Sequence, residues 1–319
     1  MIDFRYHVVS IVAVFLALAL GLFIGGTTLR GPVGADISSR TDTVAKHNGE
    51  LRAKNQDLRN QLHQRDTFDQ ALEPYALADR LPGEAVAVVS APGADSAVRA
   101  NLETALADAG ATVSADVRLK PALLDPQQSQ FLGTLAHKVS LPGHSTPAGQ
   151  TGAQRALDLL AAALGVRASG QTPPLAAVDR LLSTYSAGNL LSVSGGAPRP
   201  GTLVVLIVPA PSTSTDQSAL SAQAQADQLL AEFAVELDTA SDGAVVAGPT
   251  SPITDAGVID AVHSQPAARA EVSTVDDADL PGGAMAAVFA LVEQTNGAAG
   301  SYGSGTPLPP ASPSPTPTP

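Results

Sequence analysis

Histidine is the residue type with the widest chemistry in this chain, because an imidazole nitrogen can bind a metal ion or transfer a proton near neutral pH. The chain has six histidines, and none belongs to a His-Glu-x-x-His zinc motif. His137 and His144 lie seven residues apart at a loop rich in Gly, Pro, Ser and Thr, and together they could bind a metal ion. Because that spacing is a weak signal, two loop histidines without a metal are the favoured interpretation. His47 and His63 fall in a charged helical segment, where we expect them to be solvated.

Three aspartates close together near the C-terminus, Asp276, Asp277 and Asp279, are a second candidate for ion binding. They lack the Asp-x-Asp-x-Asp-Gly spacing of a calcium loop. A Leu-Pro-Gly-Gly sequence follows them and leads into an apolar helix. Since negative charge is favourable at a helix N-terminus, we predict a charged loop before that helix.

Ser90 and Asp95 bracket a turn after the first apolar run, Glu84–Ser90. Ligands of open α/β sheets often bind where a strand ends in this way, so the two side chains could line a pocket. The favoured alternative is a plain turn in which Asp95 caps the following helix.

Motifs of the common enzyme classes are missing from the chain. No Gly-x-Gly-x-x-Gly follows the first strand, no P-loop lysine follows a glycine, and no Gly-x-Ser-x-Gly elbow occurs. Cysteine is absent and methionine occurs twice, which excludes thiol nucleophiles, disulfides and soft-metal sites built from these residues. We predict no enzyme activity and no cofactor. A degenerate enzyme domain with a ligand at the Ser90 turn is the remote alternative.

The elements that position these residues indicate an α/β domain over residues 82–300. Short apolar runs alternate with amphipathic helices, which is typical of a parallel sheet. The run Thr202–Val208 is almost continuously apolar, as expected of a strand buried on both faces. The stretch Pro121–Ser194 is predicted to be mostly helical and to form an insertion. We therefore predict a doubly wound, mostly parallel sheet of about five strands. The predicted strands are Glu84–Ser90, Val113–Val117, Thr202–Val208, Ala244–Ala247 and Glu271–Val275. The predicted helices are Ser96–Ala109, Gln154–Leu164, Ala176–Tyr185, Ser218–Asp238, Asp255–Val262 and Gly283–Glu293.

An uncharged segment at residues 8–29 predicts a transmembrane helix. As a helix it is about 33 Å long, against a hydrocarbon core of about 30 Å. It exceeds the usual length of a cleaved signal peptide, which is the alternative. Arg5 favours residues 1–7 as a short cytoplasmic tail, with the bulk of the chain outside the cytoplasm. The residues expected to contact lipid are Val8, Ile11, Phe15, Leu18, Leu22 and Leu29.

A seven-residue repeat over residues 36–73 predicts a coiled coil with one narrow seam. Asparagines at the a position are satisfied across a two-stranded parallel seam, so we expect a parallel homodimer of two membrane-anchored chains. The alternative is one long helix folding back on its own domain. We expect the helix to end near Glu73, because Pro74 follows. The seam residues are Ile37, Val44, Asn48, Leu51, Asn55, Leu58 and Leu62.

Charge and composition restrict the partners. The formal net charge is −12, so nucleic acid, which needs clustered Lys and Arg, is not an expected partner. The lipid bilayer, a second copy of the chain and a membrane or cell-wall protein are the expected partners. Residues 301–319 are rich in Pro, Ser and Thr, and we expect this tail to be extended and disordered.

The N-terminal sequence from Phe4 to Gly21 resembles the opening of the mycobacterial copper transport protein B family (MctB-like). The order of anchor, coiled coil and α/β domain is also similar. The resemblance implies a role in copper homeostasis or efflux in the outer envelope, and copper as the only implied metal. For relatives it also implies a link to cell separation together with a membrane protein partner.

Two functions follow as alternatives. In the first, the chain contributes to copper efflux or tolerance in the envelope. In the second, it is a dimeric scaffold that recruits partners for cell-wall remodelling and moves no metal. The residues themselves do not support copper transport directly, since a copper pathway is expected to have Cys, Met or His in closely spaced sets.

Overall fold

The computed structural model describes the backbone of residues 4–28, 32–253 and 255–303, and the side chains of residues 6–26, 43–253 and 255–303. The chain divides into two compact units, Met1–Arg65 and Asp66–Pro319. The first contains helix α1 (Phe4–Thr28) and most of helix α2 (Pro32–Leu77).

Helix α1 is apolar on every face. Its stretch Tyr6–Gly26 is long and apolar enough to cross a membrane, and none of it is buried inside the protein. Twenty-one helical residues span about 32 Å, which matches a bilayer core of about 30 Å. Because a soluble helix of this length would hide one apolar face against a core, the absence of buried residues in this stretch fits a membrane anchor.

The second unit is a mixed α/β domain with one sheet. Within the described residues seven strands pair in the order β3-β2-β1-β4-β5-β6-β7. Only the β2–β3 pair is antiparallel, and the other neighbours are parallel. The strands are β1 (Ala85–Ser90), β2 (Thr112–Leu119), β3 (Leu191–Ser194), β4 (Leu203–Ile207), β5 (Ala244–Ala247), β6 (Ser273–Val275) and β7 (Ser301–Tyr302). The helices of this unit after α2 are α3 (Ser96–Asp108), α4 (Ser129–Lys138), α5 (Gly152–Leu164), α6 (Leu175–Ala187), α7 (Gln217–Ala240), α8 (Gly257–Ser264), α9 (Pro266–Glu271) and α10 (Pro281–Gln294).

Apolar cores lie on both faces of the sheet. Alternate residues of β1 and β4 point to opposite faces, as the two-residue period of a strand requires. Val86 and Val205 pack with α3 and α10 on one face. Val89 and Leu206 pack with α5, α6 and α7 on the other. The five predicted strands are all present, and β4 is buried throughout, as its apolar run predicted.

Two strands lie outside the prediction. Strand β3 falls in the stretch predicted as helical, and it closes one edge of the sheet by antiparallel pairing with β2. It has four residues, so its local signal is short and its backbone partner determines it. Strand β7 pairs with β6 beyond the predicted domain boundary at residue 300. The Tyr302 hydroxyl donates a hydrogen bond to Glu293 of α10, and this contact holds β7 against the domain.

The predicted end of the long helix near Glu73 is wrong. Helix α2 continues through Pro74 to Leu77, and the Ala78 amide still donates to the Pro74 carbonyl at 3.2 Å. Proline removes one helical hydrogen bond at this point. Leu77 is completely buried in the core that α3 and α10 share, and this packing outweighs the lost bond.

Candidate functional site

A cleft of about 550 Å³ opens between the insertion and the main domain. Its walls are the loop Leu141–His144, the buried face of α5, the segment Gly165–Arg167 and the last turns of α7. Helix α5 begins with a capping box, in which Thr151 and Gln154 satisfy each other's backbone amides. That cap fixes the start of α5 and therefore the position of the acidic side chain it carries into the cleft.

The chemical centre of the cleft is a histidine–carboxylate pair. His144 Nε2 lies 2.8 Å from Asp158 Oδ2. The Asp158 side chain is 4% exposed, and that of His144 is 26% exposed. A buried carboxylate is tolerated when it is paired, so His144 is the group that allows Asp158 to occupy the apolar face of α5.

Two further ionisable groups interact with Asp158. The pKa of Glu236, on α7, is raised by burial and by the Asp158 charge, while His144 opposes the shift. Burial raises the pKa of Tyr185 well above its usual range, and Asp158 adds to this effect. The Tyr185 hydroxyl donates to the Ala156 carbonyl at 3.2 Å. The cleft therefore brings two carboxyl groups, Asp158 and Glu236, near one imidazole in a partly desolvated place.

Arg167 also lines the cleft, but its charge is engaged elsewhere. Its Nε donates to the Thr239 carbonyl at 2.9 Å, and its Nη2 donates to the Asp238 carbonyl at 3.3 Å. These carbonyls belong to the last turn of α7, where a cation is favourable. The guanidinium thus caps a helix.

Imidazole and carboxylate groups together can bind a cation or transfer a proton. In the described part of the chain, no three His, Asp or Glu side chains already lie close enough together to hold a metal ion. The cleft provides the His144–Asp158 pair and the Glu236 carboxylate in the same lining.

The alternative in which His137 and His144 bind a metal together finds no support in the structure, because the two histidines have separate partners. His137 accepts a hydrogen bond from the Arg155 guanidinium, whereas His144 pairs with Asp158. His47 and His63 are exposed on α2, as predicted.

In the turn after β1, Asp95 caps α3, as the favoured interpretation predicted. Its Oδ1 accepts from the Ala97 amide at 2.8 Å. Gly93 has φ +79°, which favours glycine, and a β-carbon built there would lie 3.6 Å from Pro209 Cβ. Proline therefore packs against the turn. The Ser90 hydroxyl is buried and makes no hydrogen bond to the described residues.

The aspartate group forms a loop before α10, as predicted. Asp279 Oδ1 accepts from the Thr250 amide at 2.6 Å and from its hydroxyl at 2.9 Å. The Asp279 carbonyl accepts from Asn101 Nδ2 at 2.7 Å. This carboxylate therefore joins two loops.

A smaller cavity of about 140 Å³ lies at the carboxyl ends of β4 and β5, with Asp260 and His263 in its lining. His263 Nε2 lies 2.8 Å from Thr274 Oγ1 and 2.9 Å from Ser301 Oγ. Burial and the nearby Arg269 charge lower the pKa of His263. His263 thus joins α8 to β6 and β7.

The predicted lipid-facing and seam side chains are exposed wherever they are described. Leu29 and the side chain of Ile37 lie outside the described residues. The apolar seam residues Val44, Leu51, Leu58 and Leu62 are between 49% and 59% exposed. Asn48 and Asn55 are exposed too, so this face of α2 is open to a partner helix.

The sequence interpretation missed the cleft. Its one available signal was Asp158, a single charge within the otherwise apolar run Leu157–Leu164. Glu236 carried no signal, because a glutamate on a long amphipathic helix is ordinarily solvated.

Comparison with known proteins covers nearly the whole chain. The family model described as "Copper transport outer membrane protein, MctB" matches residues 1–313. Proteins named copper transporter MctB in Mycobacterium tuberculosis and Mycobacterium bovis are 27% identical over 312 residues, which is 96% of this chain and 97% of theirs. A protein of the same name in Mycobacterium leprae is 26% identical over 336 residues, with the same coverage. Since the match spans the apolar helix, α2 and the α/β domain together, the chain belongs to the MctB family of copper transport outer membrane proteins.

Proposed function

We propose that this protein acts in copper homeostasis or efflux as a single-pass membrane-anchored protein of the cell envelope. The observation that carries the proposal is the match of the family model to residues 1–313. A match confined to the apolar helix would support an anchor alone. The match to the α/β domain extends the relationship to the part that holds the cleft.

We infer that α1 is a retained anchor and that the α/β domain lies outside the cytoplasm, in the outer envelope. The complete exposure of the apolar stretch Tyr6–Gly26 supports the anchor. Arg5 before the helix supports the orientation, because basic residues favour the cytoplasmic side. The family description supports the outer envelope. The two cores on opposite faces of the sheet support a doubly wound domain.

The test is the copper content of cells that lack the chain. We expect deletion to raise cellular copper several-fold and to lower the copper concentration that stops growth. Full-length protein restores both values, whereas a secreted form without the α1 sequence does not. Unchanged copper content and unchanged tolerance after deletion would overturn the proposal.

A dimeric scaffold for wall remodelling is the second candidate, and the exposed seam of α2 favours it. Apolar side chains at heptad positions are half-exposed here, which is costly for a lone helix and favourable for a parallel pair. In this function two anchored chains present their α/β domains to an envelope partner and move no metal. Replacing Leu51 and Leu58 by serine is then expected to leave cells joined in chains with normal copper content. Normal separation of cells with a monomeric variant would contradict it.

A further inference from the structure

We propose that the cleft binds one divalent transition-metal ion through the His144 imidazole and the Asp158 and Glu236 carboxylates. His144 lies in the loop that follows α4, Asp158 on α5 and Glu236 on α7. All three line one cavity of about 550 Å³. The inference rests on the proposed copper role and deepens it by naming the residues that hold the ion.

The spacing of the histidine–carboxylate pair suits neighbouring ligands of a square-planar ion. Two ligand atoms, each about 2.0 Å from a metal and at right angles, are about 2.8 Å apart. His144 Nε2 and Asp158 Oδ2 are separated by 2.8 Å. A metal ion can therefore replace this hydrogen bond by entering beside the pair, with the imidazole turning so that Nε2 points at the ion and no longer at Asp158.

Glu236 is the third ligand. Within the described part of the chain, no hydrogen bond or ion pair engages its carboxylate, which lines the same cavity and is close enough for the charges of Asp158 and His144 to act on it. The three groups are not at metal spacing in the present conformation. Binding thus requires the Glu236 side chain to move toward the pair.

Charge favours a dication at this position. Two carboxylates share a partly desolvated cleft, and the one arginine in its lining caps α7. One imidazole with two carboxylates suits Cu²⁺ or Zn²⁺, whereas Mg²⁺ prefers oxygen ligands and keeps its waters.

The experiment is a titration of the full-length chain in detergent with copper(II) sulfate, zinc sulfate and magnesium chloride. Calorimetry is expected to give one tight Cu²⁺ site per chain and no heat from Mg²⁺. Electron paramagnetic resonance of the Cu²⁺ complex is expected to show coupling to one imidazole nitrogen. His144→Ala and Glu236→Gln are each expected to weaken Cu²⁺ binding by about tenfold or more.

His137→Ala is the matched control, because His137 lies on the neighbouring helix and pairs with Arg155 outside the pair that binds metal. It is expected to leave Cu²⁺ affinity and the nitrogen coupling unchanged. Glu236 is half-buried and its variant is expected to fold, which circular dichroism verifies. Equal Cu²⁺ affinity in the parent, His144→Ala and Glu236→Gln would overturn the site, as would loss of the nitrogen coupling in His137→Ala.

Failure of the site and failure of the proposed function give different results. A chain that restores copper tolerance to a deletion strain but takes up no Cu²⁺ in the titration overturns the site and leaves the copper role standing. A chain that binds Cu²⁺ at His144 but leaves cellular copper unchanged supports the site and overturns the role.

Discussion

Burial determines how the acidic residues of the α/β domain respond to pH, and Asp238 is the best-defined case. It lies in the last turn of α7, where its Oδ1 accepts from the Ala244 amide at 3.1 Å. Burial raises its pKa to about 6, Glu271 adds to the shift, and the Ala244 bond and Arg167 oppose it. Compared with the unfolded chain, the folded protein thus favours the protonated form of Asp238.

This shift predicts a stability that declines as the pH rises. The contribution of Asp238 is complete below its unfolded pKa of 3.8 and is lost as the pH passes through about 6. Asp238→Asn keeps an oxygen for the Ala244 amide and removes the buried charge. We expect it to stabilise the intact chain at pH 7.5 by roughly 1 kcal/mol, after allowance for solvent screening. Denaturant unfolding followed by circular dichroism from pH 4 to pH 8 measures this.

Asp179→Asn controls for the loss of one formal charge, because Asp179 is exposed on α6. The pH dependence of its unfolding free energy is expected to match that of the parent. If the unfolding free energy of Asp238→Asn changed with pH in parallel with that of the parent, Asp238 would not be the source of the predicted pH dependence.

At the scale of elements, the approach of α4 to α5 depends on glycine at one position. A β-carbon on Gly152 would lie 1.7 Å from the Ser129 carbonyl oxygen and 2.7 Å from the Gly133 amide nitrogen. Both atoms are backbone, so relief requires the two helices to separate. We expect Gly152→Ala to lower the free energy of unfolding by roughly 2–3 kcal/mol, as overpacking does.

Gly133→Ala, on the facing helix, is the matched comparison. Its β-carbon would meet Gly152 Cα at 3.6 Å, an ordinary contact, and alanine is the better helix former. We expect this variant to be as stable as the parent or up to about 1 kcal/mol more stable. Thermal unfolding of both variants measures the two effects. Equal losses of stability in the two variants would contradict the prediction that the close approach at Gly152 makes that position the sensitive one.

The elements that were predictable from sequence are those whose own residues carry the pattern. Strand β4 is apolar at every position, and α5 has one apolar face, so each could be recognised without knowing its neighbours. Strand β3 and the last turn of α2 could not, because β2 and a buried core determine them. The cleft could not be predicted either, since His144 and Glu236 come near Asp158 only through the tertiary packing of the loop after α4 and of α7 against α5.

For the whole molecule, the asparagines of α2 bear on how many chains the proposed coiled coil would contain. In the predicted seam, Asn48 and Asn55 take the a positions, between apolar residues at d. A buried asparagine weakens a coiled coil but selects two parallel strands, because its side chain is satisfied by its counterpart. Replacing both by leucine is therefore expected to strengthen association and to relax its specificity.

The prediction for the double variant Asn48→Leu, Asn55→Leu is a more stable assembly that contains trimers or tetramers as well as dimers. Cross-linking and analytical ultracentrifugation of the intact chain in detergent measure the number of chains. Asn60→Leu is the control: Asn60 lies on the solvent face of the same helix, where its Oδ1 accepts from Gln56 Nε2 at 3.1 Å. It is expected to leave the dimer unchanged. A parent chain that is monomeric at every concentration would mean that α2 serves as a single-stranded spacer, and the preference of asparagine for two strands would then have no role in this protein.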